Sequence, residues 1–364
     1  MSRACAGARN TCFRQLALVL AAAVLWGVVL GCSRVEDTLI ERAVERATTA
    51  PDPRWLRDDV LHVVLCGTGT PLPDPSRAAA CTAVLAGGRL YLVDVGPGSA
   101  ENLRVWGLPL ERLAGVFLTH FHSDHIGELG EITMQSWVAG RVEPLPVHGP
   151  PGVEGVVSGF QQAYALDTRY RVAHHTPEFM PASGAVLDAR EIDMSPVAER
   201  VVLREGELVV TAIAVDHRPV EPAVGYRFDY RGRSVVISGD TIPSPSLREK
   251  SAGADILVHE ALAADLIGKL SEGLEQAGAE RLARLSGDIV DYHTTPADAV
   301  ELAQGAGVEM LVLTHLVPPL PKAIASAFML RGVDQSGVEV VLGDDGMHFA
   351  LPVGESTIER DTID

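Results

Sequence analysis

Positive charge is scarce in this sequence: 30 lysines and arginines stand against 48 acidic residues over 364 positions, a formal net charge of −18. Nucleic-acid binders neutralise backbone phosphates with clustered cations, so this balance argues against a broad phosphate-binding face, though a local basic groove stays open. Cysteine is scarce too, at five residues, and no two of them form C-x-x-C, which excludes a cysteine zinc knuckle. A glycine-rich turn follows an apolar strand at Gly67-Thr68-Gly69-Thr70-Pro71. It lacks the Lys-Ser/Thr of a P-loop and the third glycine of a dinucleotide site, so it reads as a tight turn. No internal repeat of fixed short period is present. Apolar residues, by contrast, make up 47% of the chain, ample for a packed core in one large domain or two ordinary ones.

One long uncharged apolar run stands at the beginning, Leu16 to Leu30, after Arg3, Arg9 and Arg14 and no acid. This is the n-region and h-region of an export signal, short for a settled membrane span. It closes at Val29-Leu30-Gly31-Cys32-Ser33, similar to a bacterial lipobox, in which the cysteine is lipidated after cleavage. The expectation is therefore a signal peptide over residues 1–32, a tether over 33–59, a globular domain over 60–352 and an acidic, frayed tail over 353–364. The protein would be exported and anchored to the membrane through Cys32, with an uncleaved signal anchor as the alternative. Cys66 and Cys81 remain in the exported part and are free to pair in an oxidising compartment, but sequence separation does not give their distance.

The densest chemistry lies at Val116-Phe117-Leu118-Thr119-His120-Phe121-His122-Ser123-Asp124-His125. In an extended segment residues two apart share a face, so His120 and His122 can reach one ion together. Asp124 and His125 follow at the turn into a helix and are aimed differently. Imidazole nitrogens and a carboxylate suit a borderline ion such as Zn²⁺. Four ligands pointing two ways suggest two ions.

Elsewhere the pattern predicts strands over 60–65, 83–85 and 90–95, helices over 126–138 and 153–164, and an irregular polar stretch over 165–200 with surface histidines at His174 and His175. Further strands are expected over 201–203, 208–215, 224–230, 234–237, 254–258 and 310–313, with a closing hairpin of 338–342 and 347–351. Asp94, at the end of its strand, is either a helix cap or a group holding a metal-ligand histidine. Several strands deliver a His or Asp to their ends: His217 after 211–215, Asp240 after 234–237, His259-Glu260 after 255–258 and His315 after 310–313. Counting His120, five such endings look like one rim of a sheet carrying one site.

These motifs, with His217 preceding Gly225-Tyr226-Arg227, Ser238-Gly239-Asp240-Thr241, His259-Glu260-Ala261, His293-Thr294-Thr295 and Leu313-Thr314-His315, resemble those of the metallo-β-lactamase superfamily, in its ribonuclease Z-like branch. The resemblance covers roughly residues 60 to 350. It implies an α/β fold, a four-layer αββα sandwich with the metals at one edge. It also implies His120, His122 and His217 on one ion, Asp124, His125 and His315 on the other, and Asp240 bridging them. The two divalent ions would be Zn, with Fe or Mn as alternatives. A hydroxide shared between two cations is a strong nucleophile near neutral pH, and Asp124 is placed to orient it. His293 would act on the leaving oxygen, held by Glu260, with a helix cap as its alternative role; His259 is a core residue or a partner of a ligand.

Ribonuclease Z proper clamps tRNA with a long basic arm shortly after Gly-Tyr-Arg, whereas Tyr226 here reaches Ser234 through seven residues. The acid usual after the first Asp-x-Gly is replaced by Pro97. With the acidic balance and the export signal, this favours an exported hydrolase of small phosphodiesters or aryl sulfate esters, with nucleic acid an unfavoured partner. Ribonuclease Z-type tRNA 3′ processing and a lipid-anchored binding protein with a non-catalytic metal site are the alternatives. A homodimer is left open. Residues 262–292 form a helical insert expected beside the site.

Overall fold

Runs of aliphatic and β-branched residues become strands along most of the chain, in a computed structural model that describes residues 37–41, 44, 52–195 and 197–363. Two units separate at Pro51/Asp52. In the first, residues 37–41 are helical, as the spacing of its apolar positions predicts. The expected export signal, Cys32 and residues 33–36, 42–43 and 45–51 of the expected tether lie outside the described residues. Among the described residues no helix is long and apolar enough to cross a membrane.

The second unit begins with β1 (Val60–Gly67), β2 (Cys81–Ala86), β3 (Arg89–Val93), α1 (Ser99–Val105) and β4 (Leu113–Phe117). It continues through α2 (Ser123–Ile126), α3 (Leu129–Ala139), β5 (Leu145–Gly149), α4 (Val153–His175) and β6 (Leu187–Glu191). Next come β7 (Glu199–Glu205), β8 (Leu208–His217), β9 (Val220–Tyr230), β10 (Arg233–Ile237) and α5 (Pro245–Lys250). After β11 (Ile256–Leu262) the helices α6 (Ala264–Gln276), α7 (Glu280–Asp288) and α8 (Pro296–Ala306) precede β12 (Met310–Val317). The unit closes with α9 (Lys322–Met329), β13 (Glu339–Leu342), β14 (Met347–Pro352) and β15 (Glu359–Thr362).

The strands form two sheets, ordered β15-β14-β1-β2-β3-β4-β5-β6 and β13-β12-β11-β10-β9-β8-β7. Alternation along β1 explains the layering. Leu61, Val63 and Leu65 point into a core shared with Phe117, Tyr226, Phe228, Val258 and Phe349, which lies between the sheets. Val64 and Cys66 point the other way, into a second cluster with Leu103 of α1, Ile132 of α3 and Val153 of α4. The outer face of the other sheet carries a third cluster, where Val236 and Leu257 meet Leu247 of α5 and Ala299 of α8. With both faces of each sheet covered, a central strand such as β1 is buried on every side chain while the edge strands β7 and β15 are mostly exposed, and the four-layer αββα sandwich follows.

Five local expectations are corrected. The second helix does not stop at residue 164 but runs to His175, and β6 lies in the stretch read as irregular. α4 is mostly exposed, so its second half lacks the apolar period that betrays a helix. The stretches 338–342 and 347–351 do not form a hairpin: β13 and β14 join different sheets. The tail expected to fray supplies β15, which pairs antiparallel with β14, and Asp361 accepts from His348 Nδ1 at 2.6 Å and Arg54 at 3.1 Å. Trp55, read as linker, is buried against His62 and His348.

Cys66 and Cys81 form a disulfide across β1 and β2, with Cα atoms 5.0 Å apart. It closes a segment of sequence separation 15, for which lost unfolded-state entropy is worth about 3 kcal/mol. Half-buried Asp345 adds to this closure, accepting from the Thr68 and Ala78 amides at 2.9 and 2.6 Å. The loop between β1 and β2 is thus held at both ends, next to the site described below.

Candidate metal centre and active site

Strand direction brings the polar endings to one edge. β8 and β10 both run antiparallel to β9 and therefore share a direction, and β10, β11 and β12 are mutually parallel. Their carboxyl ends carry His217, Asp240, Glu260 and His315, while β4 of the facing sheet leads into His120 and His122, and the first turn of α2 adds Asp124 and His125. Local backbone fits this crowding. A Cβ on Gly96 would lie 2.1 Å from the Asp124 carbonyl, so only glycine allows that approach. Gly239 sits at φ +61°, with no room for a Cβ beside Thr119. Asp94 and His315 adopt positive φ, 59° and 46°, an uncommon conformation for non-glycine residues that costs of order 1–3 kcal/mol and clusters at functional sites.

The side chains converge on Asp240. Its Oδ2 lies 3.8 Å from His120 Nε2, 3.4 Å from His125 Nε2, 3.8 Å from His217 Nε2 and 3.6 Å from His315 Nε2. Such separations are mostly too long for hydrogen bonds, but two ligands on one tetrahedral ion at about 2.1 Å sit roughly 3.4 Å apart. His120 Nε2 and His122 Nδ1 lie 2.9 Å apart, aimed at one point. Buried His125 Nε2, His217 Nε2, Asp240 Oδ1 and His315 Nδ1 have no hydrogen-bond partner. Buried polar atoms left unpaired cost free energy, and a cation among them removes that cost.

Three ligand groupings follow from distance alone: His120, His122, His217 with Asp240; Asp124, His125 with His315; and Asp240, His293 with His315. The first two match the sets expected from the sequence, with Asp240 between them. The third adds His293, which the sequence reading kept out of the ligand set.

Neighbours set the tautomers. His120 Nδ1 donates to Thr119 Oγ1 at 3.1 Å, and that hydroxyl donates to Asp94 at 2.8 Å. Asp94 also accepts from His125 Nδ1 at 2.8 Å, so of its two candidate roles it is the holder of a histidine rather than a helix cap. His217 Nδ1 donates to the Tyr292 carbonyl at 2.9 Å. Each bond leaves Nε2 as a lone pair facing the cluster. Burial holds His120 well below the ordinary imidazole value and lowers His217 and His122 for the same reason. Asp240 is raised by burial, but the His315 and His125 imidazoles beside it bring its carboxyl well below the usual range.

His293 stands apart in its bonding. Its Nδ1 donates to Glu260 Oε1 at 3.0 Å, and the same oxygen accepts from the Thr294 amide at 2.9 Å. Burial lowers the His293 pKa, yet the Glu260 carboxylate outweighs it and carries the value up to about 9. The helix cap next to it is Thr295, whose hydroxyl accepts from the Asp298 amide, so His293 is not itself the cap of α8. His259 is a core residue, fully buried, with Nδ1 beside the Glu260 carbonyl.

A cavity of about 340 Å³ opens onto this edge, floored by His122, Asp124, Asp240, His293 and His315 and walled by α6, α7 and the Thr70–Leu72 loop. A larger cleft, about 480 Å³, lies beside Ser244, Arg248 and Leu302 and borders none of the clustered side chains, so size does not locate the chemistry. The sequence placed the insert beside the site but did not single out Tyr292, Leu282 or Leu285 as its walls. The signal for the two leucines is their apolar i, i+3 spacing on α7; Tyr292, in the turn after it, has none.

Comparison with known proteins agrees with this geometry. Residues 89–316 match the family described as Beta-lactamase superfamily domain. The chain is 38% identical over 289 residues to a Ribonuclease Z of Mycobacterium avium, spanning 79% of this chain and 96% of that one, and 39% identical over the same shares to one of Mycobacterium bovis. Among solved structures, the metallo-β-lactamase fold protein YhfI of Bacillus subtilis superposes with a TM-score of 0.58 at 20% identity, covering 80% of this chain and all of that one. Human tRNase Z, short form, gives 0.55 at 22% identity, covering 81% and 100%.

Proposed function

The chain belongs to the β-lactamase superfamily, in its ribonuclease Z-like branch, and is a metallo-hydrolase acting on ester bonds; from that premise we propose that it cleaves phosphodiester bonds at a two-metal centre. The observation that carries the proposal is the pairing of His293 with Glu260 beside the ligand cluster. A cationic imidazole aimed at a cavity suits an alkoxide or phenoxide leaving group, because it can supply the proton that the breaking P–O bond requires.

The cations, when bound by His120, His122, His217, Asp124, His125, His315 and Asp240, would supply Lewis acidity and lower the pKa of a water, whether they are Zn, Fe or Mn. The chain's own residues do the rest. Asp124 accepts a hydrogen bond from the incoming water and orients it. As the P–O bond to the leaving group breaks, the His293 nitrogen not bonded to Glu260 passes its proton to the departing oxygen. Glu260 holds that imidazole in place and favours its protonated form.

Two phosphodiester readings follow. The relatives' name supports RNA cleavage of the ribonuclease Z type, at a 3′ junction. A small phosphodiester is supported by the β9–β10 hairpin, whose two-residue turn at Arg231-Gly232, with φ of 49° and 85°, carries no basic arm, and by the excess of acid. Aryl sulfates are a third candidate, resting on the likeness of sulfate and phosphate esters as oxyanions. A hydrolysis panel of bis-aryl phosphate, aryl sulfate, lactone and 3′-extended precursor RNA, with and without chelator, tests this. Chelator-sensitive phosphodiester cleavage is expected to exceed the others. Faster hydrolysis of the sulfate or the lactone would contradict the phosphodiester reading, and cutting of the RNA at one defined junction would choose between the two substrates.

Export to an oxidising compartment, with a lipid on Cys32, belongs to the same proposal. It is supported by the Leu16–Leu30 run ending at Gly31-Cys32 and by the Cys66–Cys81 disulfide, a bond that persists where thiols are not kept reduced. Labelling with a radioactive fatty acid is expected to mark the full-length protein and not its Cys32→Ser variant. An unlabelled wild-type chain in the cytosolic fraction would rule out the anchor.

A further inference from the structure

The α6–α7 insert carries apolar side chains beyond those needed to anchor it. Ile267 and Ile289 attach it to Leu262 and Val317 through a small cluster of their own. Leu282 and Leu285 are outside that cluster. They are 55% and 51% exposed, on a helix whose other side chains include Arg281, Arg284 and Asp288. Three apart on one helical face, both turn toward the cavity that holds Asp124, Asp240 and His293. Leu72, 39% exposed, lines the same cavity from the disulfide-closed loop, and Tyr292 packs its ring edge-on against His217 at 4.8 Å.

Apolar surface left open to water is unfavourable, and a concave apolar site beside a few convergent polar groups is the usual form of a ligand site. Charge points the same way. Among the described residues no lysine or arginine lines this cavity, so nothing but the bound cations and His293 would meet a second phosphate. A substrate that fits has one anionic centre at the cations and an apolar group beside it.

We propose that the slot between Leu72 and the Leu282–Leu285 face of α7 receives a planar ring carried by one ester arm of the substrate, and so sets substrate preference. The inference rests on the phosphodiester reading above and names its substrate class. A flat ring slides between two aliphatic walls and covers both, which a methyl or ethyl arm cannot do. The ring comes either from an aryl ester or from a nucleobase flanking the scissile phosphate.

Calorimetric titration of the metal-loaded, full-length protein with methylphosphonate and phenylphosphonate separates this from a merely structural role of the leucines, since binding needs no turnover. Phenylphosphonate is expected to bind about tenfold or more tightly, in the range that a few buried carbons supply. In the double variant Leu282→Ser/Leu285→Ser the ratio is expected to fall to within about twofold. Leu282→Met/Leu285→Met keeps the apolar wall and should keep the preference. Full metal content in each variant shows that the fold survives, and both positions are exposed enough for that. A wild-type ratio near one, or a ratio unchanged in the serine variant, overturns the proposal. Absence of any phosphodiester hydrolysis removes the functional reading instead and leaves this binding ratio as an independent test of the slot. Uridine 3′-monophosphate in the same titration distinguishes the sources: affinity comparable to phenylphosphonate points to a nucleobase, affinity comparable to methylphosphonate to an aryl ester.

Discussion

Asp240→Asn is expected to lower kcat/KM by roughly three orders of magnitude, about 4 kcal/mol of transition-state stabilisation, and to release at least one metal ion per chain. The reason lies in the position of one carboxylate. Asp240 Oδ2 is within 3.4–3.8 Å of four imidazole nitrogens from three separate segments of the chain, and Oδ1 is buried without a partner. Two cations held among neutral imidazoles repel each other, and an anion between them is the strongest available compensation in a low-dielectric site. Asparagine keeps the shape and one oxygen but removes the charge, so the loss is electrostatic rather than steric. Metal analysis of the purified variant together with steady-state kinetics decides the matter. Two ions per chain with unaltered turnover would contradict a bridging role.

His293→Ala is the second large effect. Turnover is expected to fall by about 10²–10⁴-fold, the usual contribution of a positioned general acid, with metal content unchanged. The chemistry adds a sharper readout. An alkyl ester leaves as a strongly basic alkoxide and needs the proton, whereas a nitrophenyl ester leaves as a weakly basic phenolate and needs it less. The loss should therefore be larger for the alkyl leaving group. Glu260→Gln should give a smaller loss with the same trend, because the imidazole keeps a hydrogen-bonding neighbour but loses the carboxylate that carries its pKa up to about 9. If the alanine variant instead loses an ion, His293 is a ligand with Asp240 and His315, as the third geometric grouping allows. An equal loss for both leaving groups with full metal content would indicate charge stabilisation without proton transfer.

Much of this site was legible before folding because its candidate ligands are written locally. His120, His122, Asp124 and His125 sit within six positions, and an extended segment running into a helix turns them two ways. Asp240 and His315 follow buried strands, where a polar residue at the end of an apolar run needs a reason. Other features were hidden for physical reasons. The second half of α4 lacks an apolar stripe because it packs against little. β13 and β14 look like a hairpin from spacing alone, but the chain crosses from one sheet to the other between them, and only long-range pairing with β12 and β1 decides that. The role of Asp94 was open between a cap and a partner for histidine until Thr119 and His125 were both found on its two oxygens.

The sequence by itself determined the chemistry: which side chains can bind cations, that they lie at strand ends, and that the chain carries a strong excess of acid. Its strand-end motifs also carried the resemblance that implied two facing sheets, whereas periodicity, a property of short segments, marked only the individual strands. Tertiary structure alone decided how these pieces meet. Cys66 and Cys81 pair because β1 and β2 are neighbours, a fact that fifteen residues of separation cannot convey. Asp240 lies between two ligand sets because β8, β10, β11 and β12 run the same way and end at one edge opposite β4. Leu282 and Leu285 face a cavity rather than a core because the insert is anchored through other side chains, Ile267 and Ile289 among them. Distances between segments far apart in the chain depend on packing of the whole, and so the specificity of the site is decided there.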